Sequence, residues 1–238
     1  MGIVSVFYAA FGYLALLAAI LWGMLFVGDG AIFPNMDALT TTAPLEGALV
    51  DLGLLLLLAL LHRSLSRGTL RDFVQRSIPR GLERSTQAWA AAAALAFMYA
   101  GWQPLPQILW NATGPMRWAL SALFYIAWTL ILIGALLASH LELFEIGAAA
   151  DAAPSPTVDV GHARVAEKLP LTGTLRQPLY CGILVAVWAT TVITVGHLLL
   201  AAAVTSYLAL DGLWAARKAG AARESRRTFS FQDKRLAR

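Results

Sequence analysis

The amino-acid sequence predicts an all-α, polytopic integral membrane protein with five to six transmembrane segments. Of the 238 residues, 58% are hydrophobic and 13% are charged, whereas about a quarter of the residues in a soluble domain are charged. A soluble domain of this size has too little interior to bury so much apolar surface. The apolar residues also fall into runs that reach the roughly 20 residues a membrane-spanning helix needs. Disordered chains, soluble nucleic-acid-binding proteins and disulfide scaffolds are excluded, the last because Cys181 is the single cysteine.

Six apolar segments account for the predicted helices. The first, Ile3–Val27, carries no charge and is longer than the apolar core of a signal peptide, so we expect it to remain as a helix. Three further spans are predicted at residues 45–61, 85–102 and 116–139. The last apolar block, residues 179–216, is too long for one ordinary span and short for two. Because basic residues stand on both sides of it, we predict a helical hairpin that turns at residues 190–196 and returns the tail to the cytoplasm.

The basic residues are concentrated in alternate loops, and this pattern predicts the orientation. Residues 62–84 hold six arginines, whereas residues 28–44 hold two aspartates and no basic residue. Because short cytoplasmic loops collect lysine and arginine, we expect both termini to be cytoplasmic. The chain then divides into one transmembrane helical domain, residues 1–216, and a basic cytoplasmic tail, residues 217–238. The net charge of +4 reports this orientation and indicates no nucleic-acid partner.

Polar residues within or beside the spans are candidates for function, because they are costly in a membrane. His62 ends the second predicted span and His140 ends the fourth, so both are expected at the cytoplasmic interface. Two imidazoles there could ligate haem or a metal, or one could act as a base; alternatively, both cap the C-terminal ends of helices. His197 lies at the turn of the hairpin, where we expect a structural role. For Asp51, inside the second span, we favour a polar contact to a hydroxyl or a tryptophan N–H of a neighbouring helix.

The segment that opens the last apolar block, residues 176–182, is a candidate site for an anionic cofactor. A proline such as Pro178 is suited to the first turn of a helix. The start of a helix offers free N–H groups to an anion, and Arg176 adds a guanidinium that can hold a carboxylate or phosphate. The same residues are also compatible with a simple turn where the chain enters the membrane.

Several stretches of the chain resemble the bacterial membrane methanethiol S-methyltransferase family, which is related to NnrU-type proteins and isoprenylcysteine carboxyl methyltransferases. The most specific stretches are ERST at residues 83–86 and WATTVITVGHLL at residues 188–199. The others are LHRS at 61–64, IPRGL at 78–82, SHLELF at 139–144 and RQPLYCG at 176–182. Their order and separation match the family from the first span to about Leu213.

The resemblance implies a cytoplasm-facing pocket for S-adenosylmethionine and methyl transfer to a small thiol such as methanethiol. It assigns cofactor binding to five residues: His140, Arg176, Pro178, Tyr180 and Gly182. The family motif Arg-His-Pro-x-Tyr-x-Gly is incomplete here, since Gln177 replaces the histidine. A later Glu-Glu-Arg motif is also lost, because alanines stand at positions 215 and 216.

These replacements lead to three hypotheses about function. A cofactor with a sulfonium and an ammonium group binds best beside carboxylates or aromatic faces, so their loss favours a catalytically degenerate, accessory or structural subunit of a larger membrane complex. Its partners would be membrane lipids and the other subunits. The second hypothesis is an active S-adenosylmethionine-dependent thiol methyltransferase. The third, from the NnrU-like branch, is a haem protein with His62 and His140 as axial ligands and no other metal site.

Overall fold

The computed structural model consists of long helices and one small sheet. It describes the backbone of residues 3–28, 35–37, 43–67, 73, 76–78, 82–151 and 171–236, and their side chains except at 66–67, 138–151, 171–178, 215 and 218–236. In chain order, the main elements are α1 (Ile3–Val27), α2 (Pro44–Arg67), α3 (Glu83–Gly101), β1 (Ile108–Asn111), α4 (Gly114–Asp151), α5 (Leu171–Trp188), β2 (Val192–Thr194) and α6 (Val195–Leu236). The predicted all-α, polytopic fold is confirmed. The sequence did not predict the two strands.

Four of these helices are long and apolar enough to cross a membrane. They are α1, α2 over Pro44–Leu65, α4 over Gly114–Leu137 and α6 over Val195–Trp214. α3 contains alanines and polar residues and falls below that hydropathy, and the apolar part of α5, Leu179–Trp188, is too short. The predicted break in the last apolar block is confirmed, because α5 ends at Trp188 and α6 begins at Val195. The pairing of these two helices as a hairpin stays a prediction.

The chain divides into two compact units, residues 1–201 and residues 202–238. The division falls inside α6, so the second unit is the remainder of this helix. The functional boundary predicted after residue 216 is not tested by this division and stays a prediction.

Small residues allow α1 to pack closely against α3. A Cβ placed on Gly12 would lie 2.8 Å from Cδ1 of Trp89 and 3.0 Å from the carbonyl oxygen of Ser85. The indole N–H of Trp89 donates to the carbonyl of Tyr8 over 3.3 Å. Close backbone approach at glycine and alanine is a common way for helices to associate in membranes, and Gly12 provides it here.

Aromatic side chains fill the space between the C-terminal ends of α1 and α3. Phe26 packs on Tyr99 with ring centroids 4.9 Å apart, and edge-on against Trp102 at 5.6 Å. A Cβ on Gly23 would lie 3.3 Å from both the Tyr99 ring and Cη2 of Trp128 on α4. These contacts bring three helices together at one end of the fold.

The two strands lie at that same end, which we call the strand end. β1 and β2 are antiparallel and pair Ile108 with Thr194 and Asn111 with Val192, with an irregularity between Ile108 and Trp110. The N–H of Ala112 donates to the carbonyl of Thr191 over 2.8 Å. The sheet therefore ties the segment before α4 to the turn between α5 and α6.

Candidate functional site

The four residues of the predicted cofactor motif all lie on α5, although their helical context differs from the prediction. α5 begins at Leu171, so Pro178 stands in the helix interior and the expectation of a first-turn proline is wrong. Proline lacks an N–H and leaves one carbonyl in the preceding turn without its helical donor. The free N–H groups at the start of α5 therefore belong to residues before Arg176. The side chains of Arg176 and Pro178 lie outside the described residues.

Tyr180 and Gly182 are described, and Gly182 contacts another helix. Tyr180 is half-buried and Gly182 is buried. A Cβ on Gly182 would lie 3.4 Å from Cγ1 of Ile131 and 3.8 Å from the carbonyl oxygen of Ala127, both on α4. The space beside this glycine is therefore occupied by α4, and Gly182 serves the packing of α5 on α4.

The two histidines predicted at one interface lie inside helices. α4 continues to Asp151, beyond the candidate span Gly114–Leu137. His140 therefore follows that span but does not cap the C-terminal end of its helix. His62 is exposed and lies five residues before Arg67, where α2 ends. The side chain of His140 lies outside the described residues, so haem ligation by this pair stays a prediction. Among the described residues, no group of three or more His, Cys, Asp or Glu side chains could hold a metal ion.

The best-defined polar cluster of the described residues lies at the strand end and is centred on His197. The ring Nε2 lies 2.8 Å from the carbonyl oxygen of Val187 and 3.2 Å from Oγ1 of Thr190. A carbonyl only accepts, so Nε2 carries the proton and donates to Val187. The Nδ1 atom is buried and has no partner among the described residues.

Thr194 connects this histidine to a distant segment of the chain. Its Oγ1 donates to Oδ1 of Asp37 over 2.6 Å and accepts from the backbone N–H of His197 over 3.1 Å. The neighbouring Met36 is completely buried, and its N–H donates to the carbonyl of Phe26 over 3.1 Å. One hydroxyl therefore holds residues 35–37 against β2 and the first turn of α6.

Asp51 anchors a second junction at the strand end. It is completely buried, and its Oδ1 accepts from the backbone N–H of Gln103 over 2.8 Å. The acceptor was expected to bind a hydroxyl or an indole; the observed donor is a backbone amide because residues 102–107, which follow α3, are not helical. Farther along this connection, the carbonyl of Leu105 accepts from the N–H of Gly196 over 3.2 Å. Residues 103–105 therefore join α2 to the start of α6.

The geometry of the His197 cluster favours structure over catalysis. A histidine activates a hydroxyl by accepting its proton. Here the nitrogen nearest Thr190 already carries a proton that it donates to Val187, so it cannot accept one from Thr190. The placement of His197 at the predicted turn was a signal for this cluster, but no feature of the sequence pointed to its link with Asp37.

Comparison with known proteins identifies the family. The chain is similar to a methanethiol S-methyltransferase of Mycobacterium tuberculosis, with 31% identity over 206 residues that cover 86% of this chain and 83% of the relative. The chain belongs to the methanethiol S-methyltransferase family. No protein-family model matches it, and no solved structure matches it.

Other members of the methanethiol S-methyltransferase family match over different lengths. A relative from a Pseudomonas species is 36% identical over 166 residues, which are 67% of this chain and 61% of the relative. Methanethiol S-methyltransferase 1 of Bradyrhizobium diazoefficiens is 28% identical over 207 residues, covering 86% of this chain and 71% of the relative. The chain thus spans less than two thirds of the Pseudomonas protein. The resemblance identified from sequence motifs is confirmed.

Proposed function

We propose that this methyltransferase-like membrane protein has lost cofactor binding and serves as a non-catalytic accessory subunit of a membrane complex. The observation that carries the proposal is the structural role of residues 188–199. This stretch is one of the two that match the family most specifically. In this chain the stretch forms the turn, strand β2 and the start of α6, and its histidine and threonines hold the strand end together. The contacts of this stretch give it a role in folding, and this supports a non-catalytic chain.

The residues expected to bind the cofactor support the same proposal. Glutamine stands at position 177 and alanines at positions 215 and 216, where the family motifs have a histidine and two glutamates. An alanine methyl group cannot pair with the ammonium or sulfonium of S-adenosylmethionine, whereas a hydrogen bond to a charged partner contributes about 1.5–3 kcal/mol. Gly182 is buried and packs against α4. The replacements at positions 177, 215 and 216 support the proposal that the chain has lost cofactor binding.

The large apolar surface that the described residues leave open supports the accessory role. Leu45, Leu49 and Leu56 on α2 are each more than half exposed, and Trp118 on α4 is 78% exposed. In this proposal, membrane lipids and other subunits cover these side chains in the bacterial inner membrane, and both termini are cytoplasmic.

A second candidate is an active thiol methyltransferase, and the comparisons give it a specific basis. The Mycobacterium tuberculosis relative with 31% identity over most of its length is named as an enzyme. This chain also keeps four residues of the first motif: Arg176, Pro178, Tyr180 and Gly182. In that case S-adenosylmethionine is the methyl donor and a small thiol the acceptor.

Cofactor binding and turnover by the purified full-length chain separate the two candidates. S-Adenosylmethionine is titrated into the protein in detergent by calorimetry, and methanethiol methylation is followed with the labelled cofactor. The proposal expects no binding at millimolar cofactor, no turnover, and other membrane proteins recovered with the chain in constant ratio. Micromolar binding with turnover that Arg176→Gln abolishes would overturn the proposal in favour of the enzyme.

A further inference from the structure

The basic residues at the end of the chain follow directly on a membrane-spanning segment. Residues 217–238 contain eight lysines and arginines and two acidic residues, whereas the whole chain has a net charge of +4. The apolar span of α6 ends at Trp214, and the helix continues to Leu236. Eight of the 18 lysines and arginines of the chain therefore follow this one span.

The end of the span is marked by an exposed tryptophan. Trp214 is 46% exposed and Leu213 is 58% exposed, and Arg217, one turn farther along the helix, is exposed as well. Tryptophan is enriched where the hydrocarbon of a bilayer meets the headgroups. This places Trp214 at the level of the lipid headgroups and the basic residues just beyond it.

Helix geometry then determines which charges reach the lipids. With a rise of about 1.5 Å per residue, Arg217 and Lys218 lie roughly 5 Å beyond Trp214 along the helix, whereas Lys234 and Arg235 lie roughly 30 Å beyond it. Interactions between exposed charges are largely screened beyond about 10 Å at 0.1 M salt. The first pair is within reach of the headgroups, and the second pair is not.

We infer that Arg217 and Lys218 bind the phosphate groups of anionic phospholipids where α6 leaves the membrane. Arginine can hold phosphate oxygens through two parallel hydrogen bonds, and lysine adds a point charge. A lipid fits these observations better than an acidic protein, because the pair directly follows the interfacial tryptophan. The inference rests on the proposed function, because Arg217 stands at the arginine position of the Glu-Glu-Arg motif, which the resemblance assigns to the cofactor pocket.

The test compares two double variants of the full-length chain that remove the same charge at different distances. Arg217→Gln/Lys218→Gln alters the near pair, and Lys234→Gln/Arg235→Gln alters the far pair. Each protein is reconstituted in phosphatidylcholine vesicles, and spin-labelled phosphatidylglycerol is compared with spin-labelled phosphatidylcholine at the protein boundary. Circular dichroism confirms that both variants keep their helices.

We expect the wild-type chain to prefer phosphatidylglycerol, with a preference that falls as salt is raised. Since a basic residue near the surface contributes about 1 kcal/mol, the near variant loses up to about fivefold at its lipid site for each residue, and the far variant keeps the wild-type preference. An equal loss in both variants would overturn the assignment to the near pair. Absence of any preference in the wild-type chain would overturn lipid binding and direct attention to an acidic protein partner.

Discussion

Replacing Thr194 by valine removes one hydroxyl from the strand end while leaving the volume of the side chain almost unchanged. This hydroxyl donates to Asp37 over 2.6 Å and accepts from the N–H of His197 over 3.1 Å. The residue is only 2% exposed, so water cannot replace its hydroxyl beside the buried N–H of His197, whereas Asp37 is half-buried and keeps some access to water. Each net hydrogen bond contributes about 1 kcal/mol, and a buried group left without a partner costs about 1–3 kcal/mol more.

The expected loss for Thr194→Val is therefore about 3 kcal/mol in the free energy of unfolding. For a chain of this size, that loss corresponds to a decrease in Tm of about 6–12 °C. The assay is thermal unfolding of the purified protein in detergent, followed by tryptophan fluorescence. The conservative variant Thr194→Ser is the matched control, because it keeps the hydroxyl and loses only a methyl group.

The difference in stability between the two variants tests the role of the Thr194 hydroxyl. Thr194→Ser is expected to lose clearly less stability than Thr194→Val. The double variant Asp37→Asn/Thr194→Val is expected to lose less stability than the sum of the two single losses, because the two residues are coupled. Equal stability of the valine and serine variants would refute the role assigned to the hydroxyl. Additive losses with Asp37 would refute the link between residues 35–37 and β2.

Three further tests concern the packing of the helices and their buried polar groups. Gly12→Ala should lower Tm because the added Cβ meets the Trp89 ring at 2.8 Å. The control Gly53→Ala has nothing within 4 Å of the added Cβ and should be neutral or raise Tm through helix propensity. Equal effects of the two variants in thermal unfolding would contradict the close packing at Gly12. Asp51→Asn keeps an oxygen acceptor for the amide that donates over 2.8 Å and should be more stable than Asp51→Leu. Ser85→Ala should be neutral or stabilising, since it removes a buried hydroxyl with no partner among the described residues; a Tm lowered by several degrees would show that this hydroxyl is bonded.

The helices were predictable because the signal for them is local. Ile3–Val27 is an uncharged apolar run, and its bounds as a helix are those of the run itself. The break in the last apolar block was predictable because the block at 179–216 exceeds the length of one span. Local composition failed where a helix extends into polar sequence: α5 begins at Leu171, where threonines, a glycine and Arg176 give no sign of a helix, and Pro178 indicated a later start.

The strands and the polar cluster were not predictable, because their partners are far apart in the chain. Ile108 pairs with Thr194, and Thr194 binds Asp37 across 157 positions. A single sequence contains no information on such pairs unless each residue has an unusual context. Asp51 was recognisable as a buried polar residue in a span, but its donor is a backbone amide, which every residue other than proline possesses.

Restoring the side chains that the family motifs have at positions 177, 215 and 216 tests whether their loss explains an absence of cofactor binding. Under the proposed function, the triple variant Gln177→His/Ala215→Glu/Ala216→Glu regains carboxylates that can pair with the cationic groups of S-adenosylmethionine. Two such contacts of about 1.5–3 kcal/mol each would strengthen binding by at least about 100-fold. The matched variant with glutamine at 215 and 216 has the same shape without charge and should gain far less. If calorimetry shows no gain in the glutamate variant, the replaced residues are not what this scaffold lacks, and the divergence from its relatives lies elsewhere on α5 or α6.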